Sequence, residues 1–206
     1  MEKVKKSYFM RVFNLNIIIV IGIAFISVLS YMFYFFGNVL AQSKEVNKID
    51  FVIKLSNFLG QASEFLKEWS ISLIVIFAVL IIMELYKRIT TDSWLNTFKS
   101  TWQTFGFRRF LKQSERSEKT IDAKDVTSFN PIHGDFNHAV SKCVVDVRVD
   151  KIIVFIKVPR KQQSQKILKD MEGQIKEELS SRNPDYYFSA PEREHNKLWF
   201  VGTKRK

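Results

Sequence analysis

The side chains best suited to chemistry are His133, Asp135 and His138, in the segment "VTSFNPIHGDFNHAVSK". Imidazole and carboxylate can both coordinate zinc. Their H-x-D-x-x-H spacing is not that of a helical ligand set, and Pro131 with Gly134 punctuates the segment as an irregular loop. Asp135 is better placed to cap a helical turn over Phe136–Ser141. His195 falls in a predicted turn. The single cysteine, Cys143, opens a predicted strand, where it would behave as a small buried hydrophobe. A nucleophile would need a base, and His138 is its neighbour only in sequence. Neither a phosphate-cradling glycine loop nor a nucleophile elbow occurs. No catalytic, cofactor or metal residue is assigned, and the chain is expected not to be an enzyme. Lys204, Arg205 and Lys206 form a basic end able to contact phosphate or nucleic acid, though such a tail is more often only solvated.

What must position these residues is set by an uneven composition. The chain has 206 residues, a net charge of +11, 46% hydrophobic and 26% charged side chains. The averages are ordinary, but the apolar residues gather in the first half and the charges in the second. A basic balance points to anionic partners, either nucleic acid or the anionic face of a membrane. One cysteine excludes an intrachain disulfide framework and fits a reducing compartment.

Residues 14–36, "NLNIIIVIGIAFISVLSYMFYFF", carry no charge and can cross a hydrocarbon core of about 30 Å. Their length exceeds the h-region of a signal peptide, despite the preceding "KVKK". Residues 69–86, "WSISLIVIFAVLIIMELY", form a shorter second run bracketed by Trp69 and Tyr86, as interfacial aromatics would. Glu84 near its end reads as a boundary residue rather than a proton carrier. Lys3, Lys5, Lys6 and Arg11 precede the first run, and Lys87, Arg88, Lys99, Arg108, Arg109 and Lys112 follow the second. The intervening Lys44, Lys48, Lys54 and Lys67 are offset by acids. The expected topology is a double-pass protein of the cell membrane with both termini cytoplasmic. Residues 37–68 between the runs are expected to form an extracytoplasmic amphipathic helix, with Ile49, Val52, Ser56, Leu59 and Leu66 on a packing face.

Residues 87–112 then read as an aromatic-basic interfacial helix. Trp94, Phe98, Trp102 and Phe105 recur at helical spacing, and Lys87, Arg88, Arg108, Arg109 and Lys112 supply cations for anionic headgroups. The same residues could stack on bases and contact phosphates, or be buried under the domain that follows. Position just after an apolar run favours the membrane interface.

Residues 113–142 read as linker and loop. From 143 the period changes to two. Val145, Val147 and Val149 alternate with Asp146 and Arg148, and "IIVFIKV" follows as a second strand ended by Pro159. Leu168, Met171, Ile175 and Leu179 mark one helix over 162–180, stopped by Asn183-Pro184. "YYFSA" and "KLWFVG" are two further strands joined by the polar "PEREHNK". The fold expected is a membrane helical hairpin plus a small cytosolic α+β module over 143–206, β-β-α-β-β, antiparallel, with one helix on one face. So small a core would need support from a partner subunit, the membrane or the Phe129–Phe136 loop.

The run "DKIIVFIKVPRKQQSQKILKDMEGQIKEEL", followed by "KLWFVG", resembles the membrane-proximal region of FtsK/SpoIIIE-type DNA translocases and related conjugative coupling proteins. The order of two apolar runs, linker, strand, helix and strands is similar. The resemblance covers about the last third of the chain and carries no diagnostic motif; the Walker lysine loop of the family's motor is absent. It implies a membrane adaptor linked to DNA transfer or a mobile element, without translocation activity. The function expected is a membrane-anchored, non-enzymatic scaffold with a protein partner or a second copy of itself. The alternative is a membrane-active effector or immunity protein whose module acts as a sensor.

Overall fold

The computed structural model describes residues 4–42, 49–114 and 130–205. The chain divides into two compact units, one of Val12–Glu84, the other of Met1–Arg11 together with Leu85–Lys206.

The first unit is built from two long helices, α1 (Tyr8–Gln42) and α2 (Asp50–Thr91), each extending beyond it at one end. Both are long and apolar enough to cross a membrane, with mean hydropathies of 2.6 and 2.3 over their most apolar windows. They pack antiparallel through small residues. Ser27 and Ser70 hydroxyls are 2.8 Å apart, Ser30 Oγ donates to the Ser63 carbonyl at 2.8 Å, and a Cβ at Gly37 would lie 3.4 Å from Leu59 Cβ. Small side chains let helices approach closely enough for such bonds. Apolar side chains including Ile18, Phe25, Val28, Ile74 and Val79 point outward. The separate amphipathic helix expected over 37–68 is not separate. Residues 37–42 continue α1, and 50–68 are the first half of α2. No proline lies in 50–91, and Gly60 alone does not stop a helix whose neighbours favour it. Val52, Ser56, Leu59 and Leu66 do lie toward the inner side, while Ile49, Phe58 and Phe65 are exposed.

The second unit holds helices α3 (Leu95–Leu111), α4 (Pro131–Val140), α5 (Gln162–Asp170) and α6 (Glu172–Arg182) around a sheet. Its strands are β1 (Val144–Val147), β2 (Lys151–Lys157), β3 (Tyr186–Phe188), β4 (Glu192–Glu194) and β5 (Lys197–Lys204). The order is β1-β2-β5-β3, antiparallel throughout, with β4 pairing the same side of β5 as β3. The segment "PEREHNK", expected as a plain connection, supplies β4 and a two-residue hairpin at His195-Asn196. His195 takes φ 53°, a conformation usually left to Gly or Asn.

Register places Val145, Val147, Ile152, Val154, Ile156, Leu198 and Phe200 on one sheet face. They pack with Phe107 and Leu111 of α3, Phe136 and Val140 of α4, Leu168 of α5, and Ile175 and Leu179 of α6. Four helices thus contribute to the core where one was expected. The helix expected over 162–180 is broken at Met171, so that it packs as two. The loop expected before Cys143 is α4, and its cap is Asn130, not Asp135. Asn130 Oδ1 accepts the Ile132 amide at 3.0 Å with Pro131 at the first helical position. Most of the expected linker, residues 115–129, falls outside those described.

The opposite sheet face, with Val144, Asp146, Ile153, Phe155 and Trp199, is buried too. Phe155 and Trp199 rings lie 5.2 Å apart, and Lys6 places its ammonium 3.6 Å over the Phe155 ring. Phe9 and Met10, at the start of α1, are also buried.

Candidate functional site

The site rests on α3 and the end of α2, residues 88–112. β1 is an edge strand, and an edge strand exposes a row of unpaired amides and carbonyls. Here α3 lies along that edge and satisfies it with side chains. Val145 N–H donates to Thr104 Oγ1 at 3.0 Å and Val147 N–H to Ser100 Oγ at 2.9 Å. Each hydroxyl in turn donates into its own helix, Thr104 to the Ser100 carbonyl at 2.7 Å and Ser100 to the Asn96 carbonyl at 2.6 Å. Arg108 Nε donates to the Cys143 carbonyl at 2.8 Å, Arg88 Nη1 to the Val147 carbonyl at 2.9 Å, and Val149 N–H to Asp92 Oδ1 at 3.0 Å. Every outward-pointing amide from 145 to 149 has a side-chain acceptor. The helix substitutes for a neighbouring strand.

Arg88 ties this edge to the far sheet face. Its Nη2 lies 2.5 Å from Asp146 Oδ1, and its Nη1 is 3.3 Å from Asp92 Oδ2. Arg148 Nε holds the other Asp146 oxygen at 3.2 Å. Asp146 has no exposed surface and Arg88 is 4% exposed. A carboxylate taken out of water needs such charge-assisted partners on both oxygens.

The residues that make this contact are Arg88, Asp92, Ser100, Thr104 and Arg108, which with Asn96, bonded to Asp92 and to the Ser100 hydroxyl, form a polar row at a spacing of four. Sequence reasoning assigned the first and last to lipid and treated the middle ones as filler. The signal was present: a period-four polar row on a segment otherwise rich in aromatics. Two assignments are corrected by it. Arg88 is not available to a membrane surface, because its guanidinium is spent on Asp146, Asp92 and the Val147 carbonyl. Arg108 is half-buried and committed to the Cys143 carbonyl; burial lowers its pKa from the ordinary value. Cys143 itself is buried, which pushes its thiol up to about 12 against the weaker opposing pull of Arg108. A thiol so held is not a thiolate near neutrality.

The other side of α3 is aromatic and faces outward. Trp94, Phe98 and Phe105 are at least half exposed and Trp102 is 82% exposed. Trp94 and Phe98 meet edge to face at 6.0 Å, and Leu95 lies beside them, also exposed. Lys99, Arg109 and Lys112 are exposed on the same helix and its end. Gly106 lies inside α3 without ending it, and a Cβ there would meet the Arg182 guanidinium at 2.6 Å. Lys87 places its ammonium 4.0 Å over the Tyr8 ring. Trp69 and Tyr86 are exposed on α2, and Lys204 and Arg205 are exposed at the end of β5. Lys206 lies outside the described residues.

His133, Asp135 and His138 are not brought together. His133 Nδ1 is 2.5 Å from the Ser114 carbonyl, Asp135 Oδ2 accepts the Lys161 amide at 3.2 Å, and His138 Nε2 is 3.1 Å from Lys142 Nζ. Among the described residues no group of three histidine, cysteine or acidic side chains converges.

Comparison with family models, with curated proteins and with solved structures finds no match.

Proposed function

We propose that the chain is a double-pass membrane protein that presents its α+β module on the cytoplasmic side as a non-catalytic scaffold. The observation that carries this reading is the outward aromatic side of α3. Leu95, Trp94, Phe98, Trp102 and Phe105 form an apolar surface flanked by Lys99, Arg109 and Lys112. Such a surface on a helix that begins three residues after the end of α2 fits the interfacial signature, aromatic rings at headgroup depth and cations against anionic lipid. The two long apolar helices with outward apolar side chains support the spans, and the excess of Lys and Arg before the first and after the second supports the orientation. The scaffold would hold a protein partner or a second copy of the chain. Its resemblance to the membrane-proximal region of DNA translocases suggests a partner in DNA transfer.

Reconstitution tests the docking. In nanodiscs containing anionic lipid, Trp102 fluorescence should be quenched by brominated acyl chains and Trp199 should not. Quenching of neither would remove the interfacial reading. A cysteine introduced at Asn57 should react with impermeant reagent added to intact cells, and one at Lys204 should not. Capture of intact protein in detergent identifies the partner.

One observation favours the effector reading. A groove in the helical unit has Ser27, Ser30, Tyr34, Asn38, Asn57 and Gln61 in its lining, polar side chains between otherwise apolar helices. Growth arrest on overproduction, relieved by apolar replacement of Asn38 and Gln61, would favour a bilayer-perturbing role over a scaffold.

A further inference from the structure

Where α4, the end of β2 and the loop into α5 meet, a cavity of about 200 Å³ opens to the surface. Its lining includes Asp135, His138, Lys142, Lys157 and Arg160, with Val158 and Pro159 between the last two cations. That volume is several times the ~30 Å³ of a water molecule, enough for a tetrahedral oxyanion. Three cations face one carboxylate, and that carboxylate already accepts the Lys161 amide. The cations continue past the rim. Lys157 stands opposite Lys197 in the β2–β5 register, and Lys6 sits over Phe155 on the same sheet face. Among the described residues, none of Lys6, Lys142, Lys157, Arg160 and Lys197 has a carboxylate within ion-pair distance.

Like charges directly opposite on a sheet destabilise it. Repulsion and burial act together on two of these lysines. Lys142 first, then burial and Arg160, pull the Lys157 ammonium below its ordinary pKa, and burial followed by Lys197, Lys157 and Arg11 does the same to Lys6. Five segments of the chain each bring a cation to this region, against Asp135 in the cavity wall, already engaged by the Lys161 amide, and Glu194 opposite Lys197 at the sheet edge. An anion resident between Lys142, Lys157 and Arg160 would relieve that repulsion.

We propose that this cavity is a binding site for a phosphomonoester group, carried either by a soluble molecule or by a lipid headgroup. Lys142 and Lys157 supply point charges, and Arg160 supplies a planar fork of donors matched to phosphate oxygens. His138, 3.1 Å from Lys142 Nζ, holds that ammonium at the cavity wall. The site is distinct from the aromatic side of α3 and does not depend on the docking proposed for it.

Inorganic phosphate is the first probe, titrated at constant ionic strength against full-length protein in non-ionic detergent. Phosphate should raise the melting temperature saturably where chloride does not. Lys157→Gln should melt higher than the parent without phosphate, because repulsion is removed, and should bind phosphate about tenfold more weakly. A variant that merely damaged the fold would melt lower. If Lys157→Gln does not fold, Arg160→Gln, on an exposed loop, should show the same loss of phosphate response. Phosphatidic acid doped into the micelles separates the sources. Displacement of phosphate by it assigns the site to a headgroup, and saturable phosphate binding without displacement assigns it to a soluble phosphomonoester. Equal melting in phosphate and chloride, wild-type affinity in the variants, or retention of a DNA oligonucleotide with no phosphate response would overturn the proposal.

Discussion

The two long sides of α3 have exchanged the roles usual for a helix lying on a sheet. In most such helices an apolar stripe faces the sheet and polar side chains face water. Here the side against β1 is lined by Ser100, Thr104 and Arg108, with apolar Phe107 and Leu111 beside them reaching the core. The opposite side carries Trp94, Phe98, Trp102 and Phe105. The difference follows from what each side meets. A strand's edge presents amides and carbonyls, so its cover must supply acceptors and donors. A strand's face presents Val and Ile, and it is covered by Phe and Leu. The outward aromatics keep at least half of their surface exposed, which leaves it for another apolar phase.

The comparison can be broken most severely at its ionic anchor. Arg88→Ala or Asp146→Ala should cost about 3 kcal/mol, because either removes the shortest partner of a buried charge and leaves Asp146 with Arg148 or Arg88 with Asp92. Denaturant unfolding followed by circular dichroism would measure this. The joint replacement Arg88→Met with Asp146→Leu should recover much of the loss, and failure to do so would mean that the bond to the Val147 carbonyl matters more than the pair.

Thr104→Val and Ser100→Ala should each cost roughly 1–3 kcal/mol by leaving a strand amide without its acceptor. Hydrogen exchange should then accelerate at Val145 and Val147 respectively, and at neither in the parent. Acceleration spread evenly over the sheet would contradict the edge-by-edge pairing.

A smaller effect is expected from Cys143 on the same inner side. The unfolded thiol releases its proton near 9.0 and the folded one at about 12. Above pH 9 the unfolded chain therefore binds fewer protons than the folded one, and stability contributed by this thiol declines as pH rises toward 12. Cys143→Ala should show a shallower decline across that window than the parent. Parallel curves would remove the effect.

On the outer side, Phe98→Ala and Trp102→Ala should change stability by no more than about 0.5 kcal/mol. The same variants should lose affinity for anionic nanodiscs or vesicles. If instead they destabilise the module strongly, those rings belong to its core.

Much of the module was legible. The alternation of Val145, Val147 and Val149 and the apolar run 152–158 identified β1 and β2, because a half-buried strand repeats every two residues. Leu168, Ile175 and Leu179 identified the helical face that reaches the core. α4 was read as a loop because Pro131 and Gly134 are turn residues elsewhere. Here proline occupies the first helical position, where its missing amide is harmless, and Asn130 caps it. Residues 186–194, read as one strand and a connection, pair along one side of β5 as two strands, β3 and β4. β4 escaped because "ERE" has no apolar alternation, and its pairing comes from β5 and the hairpin. The basic cavity was invisible, since Lys142, Lys157 and Arg160 are separated in sequence and meet only in the fold.

By itself the sequence determined the two apolar helices, the strand and helix positions with strong periodicity, and the aromatic row at helical spacing. These follow from local patterns of burial that need no knowledge of a partner. Tertiary structure decided what each polar residue does. Arg88 and Arg109 are the same residue type in one aromatic-basic segment, at the end of α2 and in α3. One is buried against Asp146 and the other is exposed, because only the path of β1 determines where an acceptor lies.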